Sequence, residues 1–171
     1  FDQASACLEV FYESSVFTRV LEGESIEIIQ VENLDSIQEG GIKVWVVADL
    51  ILKWNGWTYI VDWKTGKQSP GENDHNENRQ LGIYAAYAAQ KWNIPPQQII
   101  VHLHNLKLGQ HESNKVTPEQ ITEVEAHIAQ SASAMLNCLA DPYENIAREQ
   151  DFPGIDRPAF CKYCNFQGVC L

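Results

Sequence analysis

The sequence predicts an α/β fold, and three observations carry that expectation. A β-rich run over 42–53 meets the pair Asn55-Gly56 and then a second run over 58–64, which is a hairpin signal. An Ala-rich helical stretch over 79–92 follows, and a second helix opens at Thr117-Pro118-Glu119-Gln120. Between the two helices stands an isolated β-branched run, 98–108, so strands and helices alternate along the second half of the chain.

In chain order, residues 3–20 read as a helix, because Leu8, Phe11, Tyr12, Ser15, Val16 and Arg19 recur at helical spacing. Residues 25–31 alternate Ile26, Ile28 and Gln30 against Glu27, Ile29 and Val31, which is a short strand. The run 42–53 is read as one longer strand. Asn55 and Gly56 both tolerate positive φ, so the strand over 58–64 lies antiparallel beside the one that carries Asp49. Residues 65–78 are polar, with Gly66, Pro70 and Gly71, and read as a loop. The helix over 79–92 ends at Asn93 and Pro95-Pro96. In the helix that follows, Thr117 is the cap, Pro118 takes the first helical position, and Gln120 closes a capping box. That helix is expected to run to about Ala140, ahead of an irregular cysteine-bearing tail. The order is helix, three strands in a meander, helix, strand, helix, with no internal repeat.

With 171 residues and 44% hydrophobic content, one domain over 1–171 is expected, its cysteine segment (about 157–171) included. No run approaches the ~18 apolar residues of a membrane span, and the start lacks a basic-then-apolar leader, so a cytoplasmic protein without membrane contact is expected. The chain opens at Phe1 without a methionine, so a piece of a longer protein is one expected reading. A formal charge of -11 argues against a generic nucleic-acid binder, unless divalent cations or a basic partner offset it.

The chemistry concentrates at Asp49 and at Val61-Asp62-Trp63-Lys64-Thr65-Gly66. Residues two apart on a strand share a face, so Asp62 and Lys64 point one way and Trp63 the other. Two carboxylates on neighbouring strands can hold Mg²⁺ or Mn²⁺, with the Trp63 carbonyl as a third oxygen donor and Lys64 orienting a water. The bland alternative is a structural Asp62–Lys64 salt bridge with Asp49 facing solvent. For an isolated Asp-x-Lys the bland version is preferred; the wider pattern reverses that.

Taken with Gln80-Leu81-Gly82-Ile83-Tyr84, these residues make the sequence resemble the PD-(D/E)XK nucleases of the RecB and AddB type. The resemblance runs from about residue 3 to the end. It implies a restriction-endonuclease-like αβββαβ core with a central mixed sheet flanked by helices. It also maps the family's Gln-x-x-x-Tyr motif onto Gln80 and Tyr84, implicated in positioning the nucleic-acid strand. Four residues apart, the two share a helix face. Two departures stand out. No histidine precedes Asp49, the first being His75, so the family's upstream metal ligand lies in missing sequence, or is replaced by Glu22, Glu24 or Glu27, or the site is weakened. Val46 stands where a glycine is common.

Five cysteines in a chain expected to be intracellular point to metal ligation before disulfides. Cys161, Cys164 and Cys170 form a C-x2-C-x5-C arrangement that suits a metal centre, zinc on spacing alone. Cys7, in Cys7-Leu8-Glu9-Val10-Phe11-Tyr12, resembles the first ligand of RecB-type nucleases with an iron-sulfur cluster, and that resemblance implies a structural 4Fe-4S cluster on Cys7, Cys161, Cys164 and Cys170, with Zn²⁺ as the alternative. Cys138 is read as a buried thiol within the long helix. His102 and His104 alternate on a strand and could face the cleft; a structural role is preferred. Trp54 and Trp57 could stack on a base, although core packing is the favoured role.

The expected function is therefore a divalent-metal-dependent DNA exonuclease acting on single strands or ends, in company with a helicase or other recombination subunit. Asp49 and Asp62 bind the metal, Lys64 assists the water, and Gln80 with Tyr84 place the strand. The alternatives are an inactive nuclease-fold DNA-binding or scaffolding module, and a zinc-stabilised interaction domain.

Overall fold

The computed structural model describes residues 2–67, 69, 74–151 and 162, and divides into two compact units, 1–129 and 130–171. The first unit holds helices α1 (Asp2–Tyr12) and α2 (Ser15–Leu21), strands β1 (Ile26–Val31), β2 (Asp35–Glu39), β3 (Ile42–Val46), β4 (Leu50–Trp54) and β5 (Trp57–Lys64), then helix α3 (Asp74–Trp92), β6 (Ile99–Asn105) and β7 (Gln110–Lys115). Helix α4 (Pro118–Leu136) starts in the first unit and continues into the second, where β8 (Leu139–Asp141) pairs antiparallel with β9 (Ile146–Ala147). No helix among the described residues is long and apolar enough to cross a membrane.

A five-stranded sheet ordered β1-β4-β5-β6-β7 forms the centre, with β5 and β6 its one parallel pair, so the expected mixed α/β architecture is present. Local signals set several of its joints. Asn55 (φ 49°) and Gly56 (φ 80°) make the β4–β5 turn, and Asn93 (φ 51°) ends α3 in the left-handed region. Thr117 and Gln120 exchange the two bonds of a capping box, with the Thr117 N–H donating to Gln120 Oε1 at 2.9 Å.

Several expectations are corrected. Helix α3 begins at Asp74, within the stretch 65–78 expected as a loop, and β7 is a strand that the sequence did not suggest. The helix over 3–20 breaks at Glu13-Ser14, where Ser14 Oγ accepts the Phe17 N–H (3.3 Å) and caps a separate α2. The single strand over 42–53 is two, because the chain leaves the β2–β3 hairpin at Val46 and enters the central sheet at Leu50. The meander thus gains β2, joined to β3 by Gly40 and Gly41 (φ 56° and 82°), the pair a tight hairpin turn favours. The last helix stops at Leu136, so Cys138 lies in the turn beyond it and is half-buried instead of buried, its thiol donating to the Ala134 carbonyl (3.4 Å).

Alternation along β4 and β5 sorts their side chains into two layers. Ile51 and Ile60 join Leu81, Ala85 and Ala88 of α3 in the main core, while Leu50, Leu52 and Val61 pack on the other face with Val16 of α2, Tyr59 and Trp63. Gly82 lets α3 approach α4 closely: a Cβ there would sit 2.5 Å from Val124 Cγ2.

Candidate active site

Asp49 stands immediately before β4, between the buried residues Ala48 and Leu50. The antiparallel register pairs Leu50 with Val61, so one step further Asp49 is opposite Asp62 and on the same face. Its Oδ2 accepts the backbone N–H of Trp63 at 2.8 Å, which ties the start of β4 to the end of β5. Asp62 is almost fully buried (2% exposed), and its Oδ2 lies 2.8 Å from Lys64 Nζ. A buried carboxylate needs such a counter-charge, because desolvation of an isolated one costs several kcal/mol.

Lys64 also donates to Gln80 Oε1 (2.8 Å), and Gln80 Nε2 donates to the Tyr84 hydroxyl oxygen (2.8 Å). One continuous chain, Asp62–Lys64–Gln80–Tyr84, therefore links β5 to α3. Burial, together with the negative fields of Asp62 and Asp49, pushes the Tyr84 phenol above its usual range, so it remains protonated at neutral pH. The structure thus brings together Asp49, Asp62, Lys64, Gln80 and Tyr84.

Trp63 points to the opposite layer, as alternation requires, where it meets Phe11 edge-on at 5.3 Å between ring centres. His102 and His104 lie on that same layer, because β6 pairs Val61 with His102 and Trp63 with His104. They do not face the carboxylates. His102 stacks instead with His111 of β7 (5.4 Å between ring centres). His75 falls in the first turn of α3, its side chain outside the described residues. The glutamates considered as substitute ligands are placed by other contacts: Glu22 caps the C-terminus of α2, Glu24 pairs with Arg19 (3.6 Å), and Glu27 is opposite Lys53, toward the far end of the β1–β4 ladder from Leu50. The acidic residue whose backbone does meet Asp49 is Glu32, whose N–H donates to the carbonyls of Ala48 (3.1 Å) and Asp49 (3.2 Å).

Sequence reasoning missed Asn105. Buried at the end of β6 beside Lys64, it donates to the Gly66 carbonyl (3.2 Å) and accepts the N–H groups of Lys107 and Leu108, so it pins the chain on both sides of the site. An asparagine at a strand end gives no sign in the sequence of the loop it will hold.

A family model of the PD-(D/E)XK nuclease superfamily matches residues 4–171. The chain belongs to that superfamily. The search of curated proteins returned no match. A solved structure titled "Crystal structure of SSO0001" aligns with 91% of this chain and 65% of its own length, at 21% identity and a TM-score of 0.47. The PD-(D/E)XK chain therefore spans just under two thirds of that structure. With its central mixed sheet between helices, this PD-(D/E)XK chain has a restriction-endonuclease-like fold.

Superfamily members act with divalent metals, and the donor set here fits one: two carboxylates are hard oxygen ligands suited to Mg²⁺ or Mn²⁺. Among the described residues, no group of three His, Cys, Asp or Glu side chains that could hold a metal ion is found; Asp49 and Asp62 are the two carboxylates that the site offers. Cys7 is buried on α1, beside a groove of about 730 Å³ lined also by Leu8, Phe11, Trp63 and Leu106. Cys161, Cys164 and Cys170 lie outside the described residues, so the proposed cluster has one described ligand position.

Proposed function

We propose that the chain is a divalent-metal-dependent DNA exonuclease of RecB type. The observation that carries this reading is the hydrogen-bonded run Asp62–Lys64–Gln80–Tyr84 with Asp49 opposite Asp62. A structural salt bridge needs only two of those five groups.

Asp49 and Asp62 would hold Mg²⁺ or Mn²⁺, with the Trp63 carbonyl as a further donor; the cation supplies an activated water and charge neutralisation at phosphorus. The Trp63 N–H holds one Asp49 oxygen in place, so that carboxylate needs little reordering. Lys64 keeps its ammonium between Asp62 and Gln80, where it can donate to the attacking water or to a phosphate oxygen. The Tyr84 hydroxyl, kept neutral, remains able to donate to a phosphate oxygen, and Gln80 sets its position. These two residues place the strand.

Cys7 with Cys161, Cys164 and Cys170 would hold a structural 4Fe-4S cluster, with Zn²⁺ as the alternative; what favours iron-sulfur over zinc is the resemblance of Cys7 and the tail cysteines to those of RecB-type nucleases with such a cluster. DNA ends or single strands are the proposed substrate, and a helicase or other recombination subunit the proposed partner. The -11 charge favours one competing reading, an inactive nuclease-fold module that scaffolds such an assembly. The assay that separates the two supplies Mg²⁺ or Mn²⁺ with end-labelled single- and double-stranded DNA, with chelator as control. Cation-dependent loss of terminal nucleotides supports the enzyme; no turnover with any DNA supports the scaffold.

A further inference from the structure

The β2–β3 hairpin carries an apolar surface that neither the core nor the proposed chemistry uses. Its inner face is accounted for: Ile37 and Val46 are buried in the main core and Val44 packs against it. The alternate positions face outward, and there Trp45 is 59% exposed and Val47 41%. Asp35 pairs with Val46, so one step further Leu34, 61% exposed, comes opposite Val47. Lys43 lies on the same outer face, its Nζ 3.9 Å from the Trp45 ring centre. Val47 is two residues from Asp49 along the chain, so the hairpin leads into the strand entry that carries that carboxylate.

We infer that Trp45, with Leu34 and Val47 beside it, is a stacking platform for unpaired bases of a single-stranded nucleic acid whose backbone leads to Asp49 and Asp62. The inference deepens the proposed function and rests on it for the strand's direction. The aromatic ring and the lysine on it, Lys43, support this occupant, whereas the overall charge does not. A chain of net charge -11 cannot hold a polyanion by general attraction, so its grip must come from contacts that do not depend on overall charge. Aromatic stacking is such a contact, and a lysine against the same ring supplies the local cation that a flanking phosphate needs. A duplex keeps its bases stacked on one another, so this surface selects unpaired strands. Trp54 and Trp57 do not offer the same: both are half-buried, and both sit at the end of the β4–β5 hairpin away from Asp49.

The test measures binding of fluorescein-labelled oligo(dT) by anisotropy, in Ca²⁺ and without turnover, for wild type, Trp45→Ala and Trp45→Phe, each checked by circular dichroism. Stacking of one base corresponds to an affinity change of roughly 5- to 150-fold. The expected result is at least a 10-fold weaker Kd for Trp45→Ala, near-wild-type binding for Trp45→Phe, and weaker binding of a blunt duplex by wild type. Equal affinity of wild type and Trp45→Ala overturns the platform, as does a preference for duplex. So does sedimentation showing that Trp45→Ala abolishes a dimer while leaving oligo(dT) binding intact. Cleavage is scored separately: a wild type that cleaves, beside a Trp45→Ala variant of unchanged KM, removes the platform and leaves the nuclease. A wild type that binds through Trp45 but never cleaves removes the nuclease and leaves the platform.

Discussion

Lys64 Nζ lies 2.8 Å from Asp62 Oδ2, and this pair joins the most buried carboxylate of the site to its nearest cation. The arrangement resolves two demands at once. The ammonium stabilises Asp62 before any metal arrives, and it stays poised beside the place where a phosphate would be attacked. Removal of the ammonium leaves a buried carboxylate short of positive charge, which a divalent cation can restore. Lys64→Ala is therefore expected to lower stability by about 1–3 kcal/mol without metal. Added Mn²⁺ should raise its Tm by more than it raises that of wild type. Thermal denaturation with and without Mn²⁺ checks this; equal or absent shifts would argue against cation binding at Asp49 and Asp62.

The contact of α3 with α4 depends on a missing side chain. Because a Cβ on Gly82 would stand 2.5 Å from Val124 Cγ2, Gly82→Ala forces the helices apart. A loss of about 1–3 kcal/mol is expected, the usual range for overpacking. Val124→Ala in the same chain should recover part of it, and urea denaturation of the two single variants and the double variant measures the coupling. Additive losses would show that the two positions do not touch.

Asp35 is held well below the usual carboxylate range, at about 2 against 3.8, first by Lys91 and then by the Ser36 N–H and the Tyr87 hydroxyl. A depressed carboxyl pKa stabilises the fold above 3.8, and the stabilisation is lost as pH falls through about 2. Lys91→Met should therefore be less stable than wild type at neutral pH, and the gap should close between pH 4 and pH 2. Denaturant titrations across that window test it; a gap independent of pH would assign the loss of stability to packing alone.

Several joints of this fold were legible because their signals are local. Asn55-Gly56, Asn93 and the Thr117 capping box each depend on a few consecutive residues, and each appears where the sequence placed it. Strand β2 was illegible because Asp35–Glu39 buries only Ile37. Strand β7 was illegible because every residue of Gln110–Lys115 is exposed; these strands exist through their partners. The break at 47–49 was hidden by a β-rich composition that is the same on both sides. At the site, the spacing of Asp62, Lys64, Gln80 and Tyr84 revealed which side chains share a face. The Trp63 N–H that holds Asp49, and the Asn105 clamp, are long-range bonds that no residue pattern announces.

His102 carries a second acid-sensitive element, on the face away from the carboxylates. Burial first, and then the neighbouring His104 and His111, depress it from 6.5 to about 4. The unfolded chain binds a proton near pH 6.5 and the folded chain only near pH 4, so stability is full above 6.5 and falls as the pH drops toward 4. The expected loss is roughly 1–3 kcal/mol over that window. His102→Gln should flatten the slope there. An unchanged slope would place the titrating group elsewhere.

The most direct measurement is the Mn²⁺-dependent degradation of end-labelled DNA by wild type and by Lys64→Ala, with Mn²⁺ affinity and circular dichroism recorded for both. The account predicts that wild type releases terminal nucleotides and that Lys64→Ala, folded and still binding Mn²⁺, does so at least about 100-fold more slowly, as expected for loss of a group aimed at the reacting atoms. Cleavage by Lys64→Ala at the wild-type rate would contradict it.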